Sequence, residues 1–363
     1  MTNLRRKPLP NRPRLKRTIE LVEMPEGDVV LMRSVADDVR IVRPSDSERA
    51  LIQALDGRST LDQLLARFGT TEVTEVLGGM QGLFLVEDAV EDEELPPVEQ
   101  ARFDRQLRYF SDLHREGPTP AECQQRLREA VVTVLGVGGL GGRVAWELAC
   151  CGVGELRLFD GDLVEVSNLD RQIQFDESDI GKPKVEVTAE RLRAFNSAVE
   201  VSATRRRIGS EEQVAECIAG ADLVIDAADW PPFEFEPWCN AACFAADIPY
   251  IAMSQLPPLV RVGPLYVPGE TGCYACQEIR YRREYPLYDV AIAQLRGRES
   301  PAPSLGPPCG VIGGMVGMEA MHFLTGLAPP VTLGVACTID LRTMAVEREQ
   351  VVPEPACSVC AAL

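Results

Sequence analysis

A glycine-rich turn between a strand-like and a helix-like stretch is the first feature that suggests chemistry. The apolar run Val131–Leu135 predicts a strand buried on both faces. The glycines that follow it are Gly136, Gly138, Gly139, Gly141 and Gly142. A helix-like stretch, Arg143–Cys151, and a second strand, Glu155–Phe159, come next, and Asp160 ends that strand. Glycines let the backbone approach phosphate, a helix N-terminus favours an anion, and Asp160 can bind ribose hydroxyls. This unit predicts a nucleotide site, but by itself it fits NAD at least as readily as ATP.

A cluster of charged and amide residues after Asp160 favours ATP. Its members are Asp162, Asn168, Arg171, Gln172 and Lys184. A dehydrogenase has no general need for two cations at this place. An enzyme that handles a triphosphate does need them, because arginine and lysine neutralise the charge that builds on the leaving pyrophosphate.

An aspartate pair after a third buried strand predicts a magnesium site. The strand Leu223–Ile225 leads to Asp226 and Asp229. In a doubly wound sheet, ligands bind at the carboxyl ends of the strands. A carboxylate there can hold Mg²⁺ that bridges phosphate oxygens.

Two cysteine pairs with CxxC spacing predict a metal site. They are Cys273, Cys276, Cys357 and Cys360. Four thiolates with no open position suit a structural, tetrahedral Zn²⁺. The long intervening stretch leaves reduced cysteines or a redox pair as alternatives. The chain has 12 cysteines but no secretory signal, so we expect metal ligation and buried thiols rather than disulfides, and a cytoplasmic location.

Length and charge limit the architecture and the partners. A chain of 363 residues suits one small and one large domain. The net charge of -18 argues against nucleic acid and anionic membrane as partners, and no apolar run is long enough to span a bilayer. Residues 1–17 are basic and interrupted by prolines, which predicts a flexible arm. Residues 87–100 are acidic and contain prolines, which predicts a solvated linker.

The region between this arm and this linker, residues 18–86, has the pattern of a small domain. Strands are expected at 18–24, 28–34 and 39–42, helices at about 45–55, 59–68 and 71–82, and a final strand at 83–86. The turn Pro25-Glu26-Gly27-Asp28 suits a hairpin between the first two strands. Three strands followed by three helices indicate a winged-helix-like α+β domain.

This small domain resembles the PqqD-like peptide-recognition domains of enzymes that modify ribosomally made peptides. The resemblance is carried by Ser47–Leu55 with Asp56-Gly57, by Ser59-Thr60-Leu61 and Leu64–Phe68, and by Gly82-Leu83-Phe84. It implies that a leader peptide adds a strand beside the third strand and packs on the third helix. The residues implied in peptide binding are Val39, Arg40, Ile41, Val42, Val73, Val76, Leu77 and Met80. A domain that only packs on the larger one, or a winged helix that binds nucleic acid, are the alternatives.

Residues 102–363 resemble the ThiF/MoeB family of ATP-dependent adenylyltransferases, which includes ubiquitin-activating enzymes. The matching motifs are Arg102–Gln106, Asp160, Asn168-Leu-Asp-Arg171-Gln172, Lys184 after Gly181-Lys-Pro183, and Asp229. The resemblance implies a homodimer in which Arg105 reaches the ATP phosphates of the partner subunit. It implies catalytic roles for Arg105, Arg171, Lys184 and Asp229, with Asp229 as the Mg²⁺ ligand. It also places Zn²⁺ on both CxxC pairs.

The predicted fold is therefore an α/β, Rossmann-like doubly wound sheet with an ATP site and a four-cysteine zinc site, preceded by the winged-helix-like domain. Residues 101–363 form the adenylation domain in this prediction. Taken singly, Arg105, Arg171 and Lys184 could be ordinary surface or ion-pair residues. Their joint occurrence, in order and at the family's spacing, argues for function.

Two departures from the family pattern concern the acyl substrate. Members that pass the activated group to sulfur usually keep a cysteine after the first CxxC pair, whereas residues 277–308 contain none. Cys309, at the start of the helix-like stretch Val311–Leu324, is the nearest candidate, because a helix N-terminus can activate a thiol. The second departure is Trp230-Pro231-Pro232, which follows Asp229 where the family commonly has asparagine.

These features predict ATP- and Mg²⁺-dependent adenylylation of a carboxylate, most simply on a ribosomally made precursor peptide. The combination resembles peptide-adenylating enzymes of the microcin C type. Activation of a ubiquitin-like sulfur carrier is one alternative. A leader-peptide-binding partner of a separate cyclising enzyme, with a silent ATP site, is another.

Overall fold

The computed structural model describes residues 8–34, 37–41, 43–114, 117–296 and 303–361, which form two compact units divided at Gln125/Arg126. This boundary lies later than the predicted one. The segment after residue 100 belongs to the first unit because it is bonded to residues near the chain's start. Arg17 pairs with Asp104 at 3.1 Å, and the Lys16 ammonium donates to the Ser111 carbonyl.

The first unit contains five strands and six helices within the described residues. They are β1 Pro13–Leu15, β2 Glu20–Glu23, β3 Val29–Ser34, β4 Asp37–Ile41, α1 Asp46–Gln53, α2 Leu61–Phe68, α3 Thr70–Gly82, β5 Val86–Asp88, α4 Pro97–Arg102, α5 Asp104–Leu113 and α6 Pro120–Glu129, the last of which continues into the second unit. Ser45 and Thr60 cap α1 and α2 with reciprocal capping boxes, as their positions before apolar runs predict. The β2-β3-β4 sheet is antiparallel and leaves β4 at an edge.

The predictions of a flexible arm over 1–17 and of a solvated linker over 87–100 are wrong for the described residues of both stretches. Strand β1 pairs antiparallel with β5. Arg14 pairs with Glu87 at 2.6 Å and with Asp92 at 2.8 Å, and residues 89–94 form a 3-10 helix. The basic and acidic stretches attract each other, so both are ordered. Residues 1–7 of the predicted arm lie outside the described residues.

The second unit is an α/β layer structure. Its strands are β6 Val131–Leu135, β7 Glu155–Asp160, β8 Glu200–Arg205, β9 Leu223–Asp226, β10 Tyr250–Leu256, β11 Leu259–Tyr266, β12 Val335–Asp340 and β13 Ala345–Gln350. Its helices are α7 Gly141–Cys151, α8 Lys184–Phe195, α9 Glu211–Ile218, α10 Phe235–Ala245, α11 Tyr274–Glu284, α12 Tyr288–Leu295 and α13 Gly306–Thr325. The strand order is β13-β12-β11-β10-β9-β6-β7-β8.

The sheet is parallel from β8 to β10 and antiparallel from β10 to β13. The predicted Rossmann-like sheet is confirmed, with an antiparallel extension on one side. Because β6, β7 and β9 are adjacent and parallel, the residues that follow each strand meet at one edge. Among the described helices, none combines the length and the apolar character needed to cross a membrane.

Candidate active site

The glycine turn connects β6 to α7 in a conformation that L-residues other than glycine rarely adopt. Gly136 has φ +88°, and its N–H donates to the Phe159 carbonyl at 2.8 Å. A Cβ on Gly141 would lie 1.9 Å from the Gly136 carbonyl oxygen, so the first turn of α7 sits directly on the strand end. Backbone N–H groups at such a helix start have no intrahelical partner and favour an anion. The geometry is therefore that of a phosphate site.

Asp160 lies at the end of β7, beside this turn. Its Oδ2 accepts from the Val137 N–H at 2.9 Å, and its Oδ1 accepts from the Asp162 N–H at 2.8 Å. Burial raises the pKa of Asp160, an effect that Lys184 partly opposes. The carboxylate is thus fixed in orientation, and each oxygen retains a lone pair for a ribose hydroxyl.

Lys184 and Asp162 form an ion pair at 3.1 Å. Lys184 is only 7% exposed, although it starts α8. Burial alone would raise the pKa of Asp162, but Lys184 and Arg207 outweigh it, and the pKa of Asp162 is lowered. Arg207 contacts Asp162 at 3.3 Å, and its guanidinium carbon lies 5.9 Å from the centre of the Trp230 ring. Charge is therefore concentrated at the predicted phosphate-handling position.

The residues predicted from the Asn-Leu-x-Arg-Gln motif lie around a 3-10 turn, Val166–Asn168. The Asn168 Oδ1 accepts from the Glu165 N–H at 3.0 Å, so this side chain shapes the turn itself. Arg171 donates to the Ser167 carbonyl at 2.7 Å and to Asp170 at 2.8 Å. The Cγ of Arg171 would lie 3.4 Å from a Cβ on Gly139, which places this arginine against the glycine turn.

Gln172 is almost completely buried beside the same turn. It is 3% exposed, and its Oε1 has no hydrogen-bond partner among the described residues. Its Nε2 would lie 3.7 Å from a Cβ on Gly138. A buried amide oxygen without a donor is costly, so a donor supplied by a bound ligand fits this position.

Asp229 is exposed in the loop after β9, where the sequence predicts it. Asp226, at the strand end, is buried, and burial and the nearby Glu236 raise its pKa. Burial also raises the pKa of Glu236, and the negative charge of Asp229 adds to this effect. Three carboxyl groups thus come together at the edge where ligands bind. Such hard oxygen donors suit Mg²⁺, with Asp229 as the accessible ligand.

Cys309 also reaches the glycine turn. Its Sγ would lie 3.0 Å from a Cβ on Gly139. It lies 3.4 Å from the Gln255 Oε1 and 3.7 Å from the Ser304 Oγ. Burial raises the pKa of Cys309, and Ser304 and Arg171 only partly oppose this. The thiol is therefore close to the site, and burial favours its neutral form despite its position in the first turn of α13.

The predicted site residues of the first unit differ in their exposure and in whether the structure describes them. Arg105 is exposed on α5 and forms no ion pair with the residues that the structure describes. Val39, Arg40 and Ile41 lie on edge strand β4, whereas Val42 lies outside the described residues.

Three of the peptide-binding residues predicted on α3 are wrong. Val73, Leu77 and Met80 are buried in the core of the first unit, with exposures of 0%, 0% and 5%, and do not form a binding surface. They recur at helical spacing because that face of α3 packs inward. Of the predicted residues on α3, only Val76 remains partly exposed.

The four predicted zinc ligands come together although they are far apart in sequence. The Sγ atoms of Cys273, Cys276, Cys357 and Cys360 all lie within 4.8 Å of one another. The Cys273–Cys276, Cys273–Cys357 and Cys276–Cys360 distances are 3.9, 3.5 and 3.2 Å. A tetrahedron with metal–sulfur bonds of about 2.3 Å has sulfur–sulfur edges of about 3.8 Å, close to these distances. The cluster therefore fits a structural Zn²⁺.

Three residues near the site were not found from the sequence. Arg207, Gln255 and Gln174 belong to none of the motifs recognised in the sequence. The Gln174 side chain donates to the Val137 and Gly138 carbonyls of the glycine turn. The only signal was position, since Arg207 closely follows β8 and Gln255 lies near the end of β10, at the ligand-binding edge.

Comparison with known proteins agrees with this geometry. The model of the ThiF family matches residues 103–359. The sulfur carrier protein ThiS adenylyltransferase of Escherichia coli is 34% identical over 229 residues, which cover 63% of this chain and 83% of that protein.

Two solved structures match nearly the whole chain. The microcin C7 biosynthetic enzyme MccB in complex with N-formylated MccA is 26% identical, with a TM-score of 0.76, over 96% of this chain and 99% of that one. Escherichia coli MccB with ATP is 25% identical, with a TM-score of 0.75 and the same coverage.

Proposed function

The chain belongs to the ThiF family and is an ATP-dependent adenylyltransferase, and we propose that it adenylylates a carboxylate of a ribosomally made precursor peptide. The product would be an acyl-adenylate, with pyrophosphate released.

The observation that carries this proposal is the extent of the structural likeness. The family model begins at residue 103, and the ThiS adenylyltransferase covers only 63% of the chain. MccB covers 96% of it, including the part before residue 103, and that enzyme is described in complex with the peptide MccA. The extra N-terminal unit therefore supports a peptide rather than a folded carrier protein as substrate.

The edge strand β4 supports a binding role for this unit. It pairs only with β3 among the described strands, so its outer backbone groups are available to a further strand. An extended leader peptide that added to β4 would contact Val39, Arg40 and Ile41 and the exposed part of Val76. Val73, Leu77 and Met80 belong to the apolar core against which Val39 and Ile41 pack.

The chemistry needs a carboxylate oxygen to attack the α-phosphorus of ATP while the bond to pyrophosphate breaks. Asp160 would hold the ribose, and the start of α7 would hold phosphate. Arg171 and Lys184 would stabilise the negative charge that develops on the phosphates. Lys184 is suited to this because its nearly buried ammonium acts in a medium that screens charge poorly.

Mg²⁺ bound at Asp229 would supply charge neutralisation for the same phosphates. A structural Zn²⁺ on the four cysteines would tie the C-terminal segment to the start of α11. Arg105 would complete the site from the partner subunit of a homodimer, because a guanidinium can bind phosphate oxygens in pairs.

Activation of a sulfur carrier protein is the second candidate. It is favoured by the 34% identity to the ThiS adenylyltransferase. It is opposed by the lack of cysteine in residues 277–308 and by the raised pKa of Cys309, because a thiol relay needs an accessible thiolate.

Pyrophosphate exchange tests these possibilities. Purified protein is incubated with ATP, Mg²⁺ and labelled pyrophosphate, together with peptides encoded beside its gene or with sulfur-carrier proteins. We expect exchange with a peptide that has a free carboxyl terminus and no exchange with the same peptide amidated there. Exchange only with a carrier protein would select the second candidate. Tight peptide binding without exchange would select a non-catalytic binding partner.

A further inference from the structure

A glutamine outside every recognised motif is bonded to the backbone of the glycine turn. The Gln174 Nε2 donates to the Val137 carbonyl at 2.9 Å and to the Gly138 carbonyl at 3.1 Å. One side chain thus supplies both N–H groups of its amide to two consecutive peptide units of the turn.

The orientation of these peptide units decides whether the turn can bind an anion. In a peptide unit the N–H and the C=O point in opposite directions. Carbonyls turned away from the phosphate must find donors, because a buried carbonyl without a donor is costly. The Gly138 carbonyl also accepts from the Gly142 N–H at 3.0 Å, so both of its lone pairs are used. Gln174 donates hydrogen bonds to two carbonyls that would repel a bound phosphate if they turned toward it.

Gly142 leaves the space that Gln174 occupies. A Cβ on Gly142 would lie 2.2 Å from the Gln174 Nε2 and 2.7 Å from its Cδ. Real atoms do not approach so closely, so any larger residue at position 142 must displace the amide. The Gln174 amide can therefore occupy this position only because residue 142 has no side chain.

A second layer of interactions holds Gln174 in place. The side chain is 4% exposed. Its own backbone carbonyl accepts from Arg191, which pairs with Asp176 and with Asp179 at 2.6 Å each. The segment that carries Gln174 is therefore anchored to α8, and its amide cannot turn freely toward solvent.

We propose that Gln174 is a positioning residue that orients the glycine turn for ATP. Its amide holds the Val137 and Gly138 carbonyls away from the nucleotide, which leaves the N–H groups of the same two peptide units, those of Gly138 and Gly139, facing the phosphates. The proposal deepens the nucleotide site of the proposed function. It is tested with nucleotide alone, so its failure would leave the peptide proposal untouched.

The test measures binding of α,β-methylene ATP with Mg²⁺ by isothermal titration calorimetry and, separately, the thermal stability of each variant. Gln174→Leu keeps the volume but removes both donors, and Gln174→Glu replaces the donors with acceptors. Because the Val137 carbonyl would lose the Gln174 donor and the Gly138 carbonyl would lose one of its two donors, we expect binding weakened about tenfold or more for Gln174→Leu and further for Gln174→Glu.

The control is another buried amide. Asn196 is 0% exposed and donates to the Ala149 carbonyl at 2.9 Å, near the opposite end of α7. Asn196→Leu removes this hydrogen bond and the one that the Asn196 Oδ1 accepts from the Ala198 N–H at 3.2 Å, and it should lower the melting temperature without changing the dissociation constant. Equal nucleotide binding in Gln174→Leu and wild type would overturn the proposal, as would a loss of binding in Asn196→Leu as large as that in Gln174→Leu.

A double-mutant cycle tests the contact without relying on one variant's folding. Gly142→Ala should weaken nucleotide binding in the wild-type background, because its methyl group displaces the amide. In a Gln174→Ala background the same change should cost little further, since the space is already empty. Fully additive losses in the two backgrounds would contradict the shared role of the two residues.

Discussion

Lys184 offers the sharpest test of the catalytic site, because its charge is nearly buried while that of a neighbouring lysine is not. The Lys184 side chain is 8% exposed and pairs with Asp162 at 3.1 Å. Lys182 is 54% exposed and pairs with Asp179 at 3.0 Å. Replacement of each lysine by methionine removes one positive charge and one ion pair of similar length from the same segment. Only Lys184 lies where the proposed transition state develops charge.

The expected magnitudes separate catalysis from stability. A preorganised donor that stabilises transition-state charge contributes about 10²–10³ in turnover. The ion pair itself contributes about 1 kcal/mol or less to folding, because the Asp162 side chain is 49% exposed and retains Arg207 as a second partner. Lys184→Met should therefore lower the rate of pyrophosphate exchange by about 10²–10³, with only a small loss in the free energy of unfolding.

The stability loss has a defined pH dependence. The pKa of Asp162 is lowered in the folded state, so its interactions stabilise the fold above the pKa of the unfolded carboxyl group, which is near 3.8. This contribution is lost as the pH falls through the folded pKa. The difference in unfolding free energy between wild type and Lys184→Met should thus be present at pH 7 and should disappear as the pH drops below about 3.8, in urea titrations at each pH.

The assay is pyrophosphate exchange with the carboxylate substrate that supports it, alongside urea unfolding at pH 7. Lys182→Met should exchange at close to the wild-type rate. Two results would refute the reasoning: equal exchange losses in both variants, or an activity loss in Lys184→Met that follows entirely from unfolding.

Four further predictions concern other parts of the molecule. Cys276→Ser should reduce bound zinc, measured by atomic absorption, and lower the melting temperature, whereas unchanged metal content would reject the four-cysteine site. Arg40→Pro should weaken leader-peptide binding, measured by fluorescence anisotropy, but leave nucleotide binding intact, because the Arg40 N–H faces away from β3 and proline removes this outward donor from the edge strand. Arg105→Ala and Asp229→Ala should each abolish exchange and regain part of it when mixed; mixed dimers without activity would argue against a shared site. Cys309→Ala should retain both exchange and formation of the final acyl product, since its raised pKa argues against a thiolate role, whereas retained exchange with loss of that product in a folded variant would assign it one.

Local patterns were sufficient for elements whose stability comes from their own sequence. The strand Val131–Leu135 has the predicted bounds because a continuous β-branched run is buried on both faces. Helices α1 and α2 begin where Ser45 and Thr60 can cap them. The motif residues of the second unit follow parallel strands, so the topology alone brings Asp160 and Asp229 to one edge.

Local patterns failed where order comes from distant partners. Residues 13–15 are a strand only because residues 86–88 pair with them, and Arg14 is held by acids that the sequence places in a linker. Composition shows that each stretch is charged, but not that the two charges meet. The same limit applies to α3: apolar spacing predicts one apolar face, but not whether that face meets a peptide or the core.

The glycine turn shows how one motif can contain glycines with different physical reasons. Gly136 is required by its positive φ, and Gly141 by the approach of α7 to the strand end. A Cβ at either position would also come within 2.7 or 2.8 Å of Ala227, in the loop after β9, but the positive φ and the approach to the Gly136 carbonyl arise within the turn and can be inferred from the motif. Gly142 is different, because the nearest atoms that exclude a side chain there belong to Gln174, in the segment between β7 and α8. A glycine pattern therefore predicts that phosphate can approach the backbone, but it does not reveal which side chain holds the backbone in place. In this chain we expect that side chain to be Gln174, because Gly142→Ala should weaken nucleotide binding only while Gln174 is present.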